Sequence, residues 1–242
     1  MSMMMFQMIQ RFKKIPLGLL IMINPLIFVP SVRNIPQVIE ALNALPYDKF
    51  ITRLMLEHDA YKTGRDFFLE HKEYTHIVIC PDDLVINYDS FMELLRAVDD
   101  YKLTNLSGIA NIDETNMDIF SCKPLGTDPT SKSAGTYYTR QTLPSELFIE
   151  VGFTGFACQF IERELVENLS FKGGCNVGRG CMDLQFTNEL KEMGKPQIVY
   201  TDSFFEHLRL LQIKEVTEWK NKAHDKNEES TIFVKKGQKI EF

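Results

Sequence analysis

A chain of 242 residues is long enough to bury one large hydrophobic core, alone or with a small appendage. Its apolar share of 44% and charged share of 25% are typical of a soluble globular protein, and its net charge of -6 argues against non-specific binding of nucleic acid, which needs a basic face. Its five cysteines, an odd number without a paired CxxC pattern, predict reduced thiols and a cytoplasmic protein.

The N-terminal segment imitates a signal sequence or a membrane anchor. Residues 15–30 are almost wholly apolar and follow basic residues. A membrane-spanning helix needs about 20 apolar residues, whereas this run is shorter and is interrupted by two prolines, a glycine and an asparagine. We therefore expect a loose lead-in over residues 1–25 and a first buried strand at 26–29, with peripheral membrane contact as the alternative.

Strand and helix patterns alternate through the first half of the chain. The run Ile77–Cys80 is too short for an amphipathic helix and predicts a parallel strand covered on both faces. Asn34 and Asp59 are suited to cap the first two helices. The predicted elements are strands at 26–29, 50–57, 77–80 and 106–111, and helices at 34–45, at 59–71 and from 89 onwards. This order predicts an α/β fold with a central, mostly parallel twisted sheet flanked by helices.

Two adjacent carboxylates, Asp82 and Asp83, come directly after the strand at 77–80. In an open α/β sheet, ligands bind beyond the carboxyl ends of the strands. Neighbouring carboxylates repel each other, and a divalent cation shared with the phosphates of a substrate is a usual way to stabilise such a pair. The pair therefore indicates a metal and phosphate site, or else a polar turn that leads the chain out of the strand.

A long polar segment over residues 113–144 follows the strand at 106–111. It is rich in Ser, Thr, Asp, Pro and Gly, which indicates a loop, and loops of this length are commonly functional or mobile. Tyr137, Tyr138 and Arg140 lie within it. These side chains would either contact a sugar or a base, or anchor the loop to the body of the protein.

The last third of the chain contains two further candidate site residues. A strand at 148–155, a flexible glycine-rich loop at 171–181, a helix at 184–193 and a strand at 198–200 are predicted. Asp183 lies between the loop and the helix, where it is either an ordinary N-cap or a catalytic carboxylate. His207 follows an aromatic run and is either packed and hydrogen-bonded or part of a site.

Three segments, ICPDDL, GCMDLQFTNELKEMG and FFEHL, carry a resemblance to a known family when read in this order. Together with the preceding βαβ pattern, they resemble the metal motif, the catalytic segment and the late histidine of GT-A-fold glycosyltransferases that use nucleotide sugars. The likeness is to the broad inverting group, family 2-like, that includes relatives of cellulose and chitin synthases. It covers residues 26–211 and implies a Rossmann-like catalytic domain there. Residues 212–242 form an extension, in which the charged run 214–230 predicts a surface helix and residues 231–242 predict a short hairpin about Lys236 and Gly237.

The resemblance implies a role for each motif. Asp83 and His207 would coordinate Mn²⁺ or Mg²⁺ on the diphosphate of the donor, and Asp82 would assist through the ribose or metal-bound water. The metal would neutralise charge on the departing nucleoside diphosphate. Asp183 would be the general base that takes the proton from an acceptor hydroxyl, on a glycan, lipid or protein, as this hydroxyl attacks the anomeric carbon with inversion.

The resemblance also implies donor contacts near the ends of the first two strands. In the family, residues at these places meet the base or the ribose. In this chain they are Pro30, Ser31 and Arg33 near the end of the first strand, and Glu57 or Asp59 after the second. Arg65 would reach a phosphate, or would simply be solvated on a helix surface.

Two positions depart from the full family pattern. Pro81 stands where the fully acidic motif has a carboxylate, and Met182 replaces the acidic residue that often precedes the base. The chain also lacks a Q-x-x-R-W motif. The resemblance therefore implies an enzyme that adds one sugar, and argues against a processive polysaccharide synthase.

Two other classes of protein are compatible with these patterns. A sugar-nucleotide pyrophosphorylase shares the α/β core and the metal carboxylates, but would open with a glycine-rich G-x-G-T-R-L-type loop where this chain reads VPSVRN. A non-catalytic nucleotide-binding or sugar-binding protein on the same fold would show every pattern described above.

Overall fold

The computed structural model describes residues 23–31, 33–111, 118–122, 137–171, 182–208 and 229–241, which form an α/β fold. The helices are α1 Pro36–Ala44, α2 Glu57–Glu70, α3 Tyr88–Tyr101, α4 Arg163–Asn168 and α5 Met182–Glu192. The strands are β1 Pro25–Ser31, β2 Lys49–Arg53, β3 His76–Ile79, β4 Leu84–Val85, β5 Asn105–Ala110, β6 Asp118–Cys122, β7 Tyr137–Thr139, β8 Phe148–Val151, β9 Phe153–Thr154, β10 Gln159–Glu162, β11 Gln197–His207 and β12 Ser230–Val234.

The described strands form a nine-stranded sheet and a separate three-stranded sheet of β7, β6 and β9. The order in the large sheet is β12, β2, β1, β3, β10, β5, β11, β4, and β8 also pairs with β11. β2, β1 and β3 are parallel neighbours, as are β5 and β11, whereas β10 runs antiparallel between β3 and β5. The predicted α/β class with a helix-flanked sheet is confirmed. The sheet is mixed, because β10, β4, β8 and β12 all pair antiparallel with their neighbours.

Both faces of the sheet are covered, which explains why its central strands are apolar without alternation. Leu26 and Phe28 of β1 pack on the face of α2, α4 and α5, and Ile27 and Val29 pack on the face of α1 and α3. All four side chains are at most 2% exposed. The core is therefore two apolar layers, one on each side of the sheet.

Helix α2 approaches β1 closely at Gly64. A Cβ atom at this position would lie 2.5 Å from the ring of Phe28, so a larger residue would require the ring to move. Tyr61, one turn earlier, packs edge-on against the same ring with centroids 5.5 Å apart. Since α2 follows β2, a parallel neighbour of β1, the N-terminus of α2 lies at the carboxyl edge of these strands.

α1 begins later than predicted, and α3 begins earlier. α1 begins at Pro36 with Ile35 as its N-cap residue, because proline is suited to the first helical turn, so Asn34 does not cap it. α3 begins one residue before the predicted Asp89, and the side chain of Asn87 caps it by accepting a backbone hydrogen bond.

The strand predicted at 50–57 is shorter in the structure. β2 ends at Arg53, and Leu54 takes the left-handed conformation with φ of 56°, which turns the chain towards α2. α2 then begins at Glu57, so Asp59 lies in its first turn and is not the cap. Its acidic side chain there still suits the positive end of the helix dipole.

The region from 148 to 207 differs most from the prediction. The strand predicted at 148–155 is divided between β8 in the large sheet and β9 in the small sheet. β10 and α4 were not predicted. The boundaries of β10 are hidden because glycine and apolar residues run together between 151 and 161. β11 extends the strand predicted at 198–200 as far as His207.

The C-terminal strand β12 joins the large sheet by pairing antiparallel with β2. A turn follows at Lys236 and Gly237, with Gly237 at φ of 84°. The predicted hairpin about these residues is wrong, because the partner of β12 is β2 and not the segment after the turn. Most of the surface helix predicted at 214–230 lies outside the described residues.

The N-terminal lead-in is described only from residue 23, so most of the segment predicted over residues 1–25 lies outside the described part. The first predicted strand is confirmed as β1. Within the described ranges, the structure contains no helix with both the length and the apolar character needed to cross a membrane.

Candidate functional site

The pairing of β4 with β11 brings two predicted site residues together. Asp82 and Asp83 leave the carboxyl end of β3, and β4 follows at once and pairs antiparallel with the end of β11, with His207 opposite Leu84. The backbone N–H of Leu208 also donates to the carbonyl of Asp83 at 2.7 Å. The segments ICPDDL and FFEHL therefore lie side by side.

The imidazole of His207 faces the carboxylate of Asp83. His207 Nε2 lies 3.2 Å from Asp83 Oδ2, and both side chains are largely buried, at 13% and 14% exposed. His207 Nδ1 lies 3.0 Å from the backbone carbonyl of Asn111. Because a carbonyl can only accept, Nδ1 carries the hydrogen, and the nitrogen that faces Asp83 needs a proton or a metal ion to make this contact favourable.

Arg33, just beyond β1, bridges both aspartates. Its backbone N–H donates to Asp82 Oδ2 at 2.7 Å, and its Nε donates to Asp82 Oδ1 at 3.0 Å. Its Nη2 contacts Asp82 Oδ1 and lies 2.9 Å from Asp83 Oδ2. β1 and β3 are parallel neighbours, so their carboxyl ends place these residues at one edge of the sheet.

The charges of this group stabilise one another. Burial alone would raise the pKa of Asp83, but the hydrogen bond from His207 and the charge of Arg33 outweigh it and lower that pKa. Burial alone would lower the pKa of Arg33, and the negative charges of Asp82 and Asp83 raise it above the usual value. The anionic form of Asp83 is therefore favoured at neutral pH, beside the guanidinium of Arg33.

Asp83 and His207 offer a divalent cation a carboxylate oxygen and an imidazole nitrogen 3.2 Å apart. In the described part of the chain, no group of three or more His, Cys, Asp and Glu side chains converges as a metal cluster. Asn111, whose carbonyl holds His207, has a buried side-chain oxygen without a hydrogen-bond partner among the described residues. These residues fit an ion held by few protein ligands, with water or phosphate oxygens at its remaining positions.

A second acidic pair, Glu57 and Asp183, lies where the N-termini of α2 and α5 meet. The backbone N–H of Met182 donates to Glu57 Oε1 at 3.4 Å, and Asp183 Oδ1 accepts from the N–H of Leu184 at 2.8 Å. Burial, with the negative charge of Asp183, raises the pKa of Glu57 to about 7 although the Met182 hydrogen bond opposes this. Glu57 therefore exchanges a proton near neutral pH.

The hydroxyl of Tyr61 feels the charges of both acidic pairs. Burial raises the pKa of its hydroxyl well above the usual value, and the negative charges of Glu57, Asp183, Asp82 and Asp83 all add to this rise. Its ring stacks against Phe156 with centroids 5.5 Å apart. Both pairs thus belong to one acidic region around Tyr61. In the sequence, the spacing of Tyr61 from Gly64 and Phe68 places it on one side of a helix and gives no other sign of a role in a site.

Of the other residues predicted to bind the donor, Pro30 and Ser31 lie at the end of β1, and Asp59 lies in the first turn of α2. Pro30 pairs with Thr52 in the sheet, and Ser31 Oγ donates to the carbonyl of Arg33 at 3.1 Å. Asp59 is exposed and lies 3.2 Å from His58. Their contacts with a base or a ribose stay predictions, as does that of Arg33.

The guanidinium of Arg65 is engaged on the other side of α2. Its Nε donates to the carbonyl of Val166 and its Nη2 to that of Glu167, each at 3.3 Å, and its Nη1 lies 3.1 Å from Asp66. These bonds tie α2 to α4. A contact of Arg65 with phosphate stays a prediction and would require these bonds to break.

The aromatic residues at the end of the long polar segment pack on the body of the protein. Tyr138 is buried in a small apolar cluster with Ile149 and Val199. The guanidinium of Arg140 lies over the ring of Phe204, 4.4 Å from its centroid. These contacts favour the anchoring interpretation over contact with a sugar.

The fold and these contacts define the class: an α/β protein with an acidic, arginine-bridged site at the carboxyl edge of its sheet. No family model and no curated protein matches the chain. It is similar to the crystal structure of A197 from STIV, at 19% identity and a TM-score of 0.48, over 77% of this chain and 82% of that one. It is also similar to the crystal structure of an apo UDP-glucose pyrophosphorylase, at 14% identity and a TM-score of 0.41, over 74% of this chain and 64% of that one.

Proposed function

We propose that this protein is a metal-dependent glycosyltransferase that moves one sugar from a nucleotide-diphosphate sugar to an acceptor hydroxyl on a glycan, lipid or protein. The observation that carries the proposal is the approach of His207 to Asp83, two residues far apart in the chain, to 3.2 Å at the carboxyl edge of the sheet. An ordinary polar turn after β3 would not require a buried imidazole opposite the second carboxylate.

In this proposal, Asp83 and His207 hold Mn²⁺ or Mg²⁺, which supplies positive charge to the departing nucleoside diphosphate. Asp82 assists through the ribose or metal-bound water, and Arg33 contacts both aspartates. Asp183, at the start of α5, accepts the proton of the attacking hydroxyl. A single displacement at the anomeric carbon inverts its configuration.

The proposal places the enzyme in the cytoplasm. Cys80 and Cys158 are buried free thiols, which suits a reducing compartment. Peripheral contact with a membrane would allow a lipid acceptor. Measuring the activity in soluble and membrane fractions of the source cells tests this location.

A thermal-shift screen of nucleoside diphosphates, each with and without Mn²⁺, tests the site. We expect stabilisation when both are present, by about 2.7 kcal/mol at one hundred times the dissociation constant. Asp83→Asn should abolish this response, because it removes a ligand of the metal. Asp183→Asn should keep the response and stop sugar transfer, because it removes only the base. Loss of the response in both variants, or in neither, would contradict these roles.

Product analysis with a panel of nucleotide sugars distinguishes the alternative classes. A transferase releases a nucleoside diphosphate slowly even without an acceptor, because water replaces the acceptor hydroxyl. A pyrophosphorylase, given pyrophosphate, releases the nucleoside triphosphate. A non-catalytic binding protein produces neither, and this result would overturn the proposal.

A further inference from the structure

The carboxylates of Asp82 and Asp83 are already neutralised in part by Arg33. Asp82 Oδ1, Asp82 Oδ2 and Asp83 Oδ2 each accept a contact from the side chain or the backbone N–H of Arg33. A guanidinium in this arrangement supplies the positive charge that a divalent ion would otherwise supply. The site therefore contains a cation of its own.

Arg33 and His207 both contact the same atom, Asp83 Oδ2. It receives Arg33 Nη2 at 2.9 Å and His207 Nε2 at 3.2 Å. An ion held by Asp83 and His207 would draw on the negative charge of the same carboxylate. Two cations at one carboxylate oxygen repel each other strongly in a largely buried site, so the ion and the guanidinium compete.

The end of the Arg33 side chain is the part that is suited to move. Its backbone is held by the bond to Asp82 and by Ser31, whose hydroxyl donates to the Arg33 carbonyl. Its side chain is 24% exposed, whereas those of Asp82 and Asp83 are 5% and 14% exposed. The guanidinium can therefore turn towards solvent while the backbone stays in place.

We propose that Arg33 is an internal cation that competes with the divalent metal ion for Asp83 and so weakens the binding of metal alone. This inference rests on the proposed function, since it assigns a control of metal binding to the same site. It predicts that removing the guanidinium strengthens the binding of Mn²⁺, although the substitution deletes contacts that support the two aspartates.

The test is the binding of Mn²⁺ alone, measured from the electron paramagnetic resonance signal of the free ion. We expect Arg33→Gln to bind Mn²⁺ about tenfold more tightly than the unmodified protein. Arg33→Lys should give an intermediate increase, because a lysine keeps the charge but loses the fork of donors. Arg96→Gln, which removes an exposed arginine from α3, is the matched control and should leave the affinity unchanged.

Equal or weaker Mn²⁺ binding by both Arg33 variants would overturn the inference and make Arg33 a support of the metal site. Circular dichroism of each variant verifies folding, and Arg33→Lys decides the question if Arg33→Gln does not fold. The proposed function fails separately: tighter Mn²⁺ binding by the variants, with no cleavage of any nucleotide sugar by the unmodified protein, would uphold the competition and reject the transferase.

Discussion

At the scale of single residues, the site combines groups that sequence patterns can identify with groups that they cannot. Asp82 and Asp83 can be identified from the sequence as candidate site residues, because they follow a short apolar run that predicts a buried strand. Arg33 was predicted to meet the base or the ribose, but its bond to the aspartates depends on the pairing of β1 with β3. That pairing is a long-range contact, which local periodicity does not specify.

Glu57 makes the stability of the protein depend on pH. Its pKa rises from the usual 4.5 to about 7 on folding, chiefly through burial, with Asp183 and Tyr61 as its titratable neighbours. The folded state then binds the proton more tightly than the unfolded state, so this contribution to stability is present below pH 4.5 and is lost as pH rises to 7.

Glu57→Gln cannot ionise, so it should not lose this contribution as pH rises. We therefore expect the unfolding free energy of the unmodified protein to fall by about 1–3 kcal/mol more than that of Glu57→Gln when the pH is raised from 5 to 8. Urea denaturation at the two pH values measures this difference. Glu70→Gln, at the exposed end of the same helix, is the control. The same pH dependence in Glu57→Gln and the unmodified protein would show that Glu57 titrates normally.

At the scale of elements, the contact of α2 with β1 limits the residue at position 64. Gly64→Ala would gain about 1 kcal/mol of helix propensity, but its Cβ would overlap the ring of Phe28. Overpacking of this kind costs about 1–3 kcal/mol. We expect a net loss of stability of about 1 kcal/mol, seen as a lower urea midpoint, whereas Lys62→Ala on the exposed face should not lower it. A more stable Gly64→Ala would mean that the ring moves easily.

The elements that the sequence predicted are those with strong local signals. β1 and β3 have short apolar runs, and α1 has an i, i+3, i+4, i+7 stripe of Ile35, Val38, Ile39 and Leu42. Each of these elements is found close to its predicted bounds. β10 lacks such a signal because it follows an irregular stretch of glycine and apolar residues. Its insertion between β3 and β5 is decided by the packing of the whole sheet, so the mixed character of the sheet could not be predicted locally.

At the scale of the whole molecule, β12 covers an edge of the sheet that would otherwise be open. It pairs with β2, and Val234 and Ile240 are buried at 4% and 5% exposure. Phe233 packs against Phe67 of α2, with ring centroids 5.2 Å apart. The C-terminal segment thus belongs to the same core as the strands that precede the site.

Deletion of residues 229–242 should therefore destabilise the protein and expose β2. Each buried apolar side chain contributes about 1.5–3 kcal/mol, so we expect a loss of about 3–5 kcal/mol in urea denaturation. Light scattering should rise, because an open strand edge can pair with another chain. Val234→Ala should show a smaller loss without scattering. A truncated chain with unchanged stability would show that β12 contributes little.

The two-residue strand β4 has a consequence for how the protein acquires its site. Asp83 belongs to the first half of the chain and His207 to its last part, and β4 joins them through a single short ladder with β11. Closing the long loop between these two segments costs entropy before their contacts can form, so this pairing should form late in folding. During synthesis on the ribosome, the contact between Asp83 and His207 can then form only after β11 has emerged, so the site is completed late.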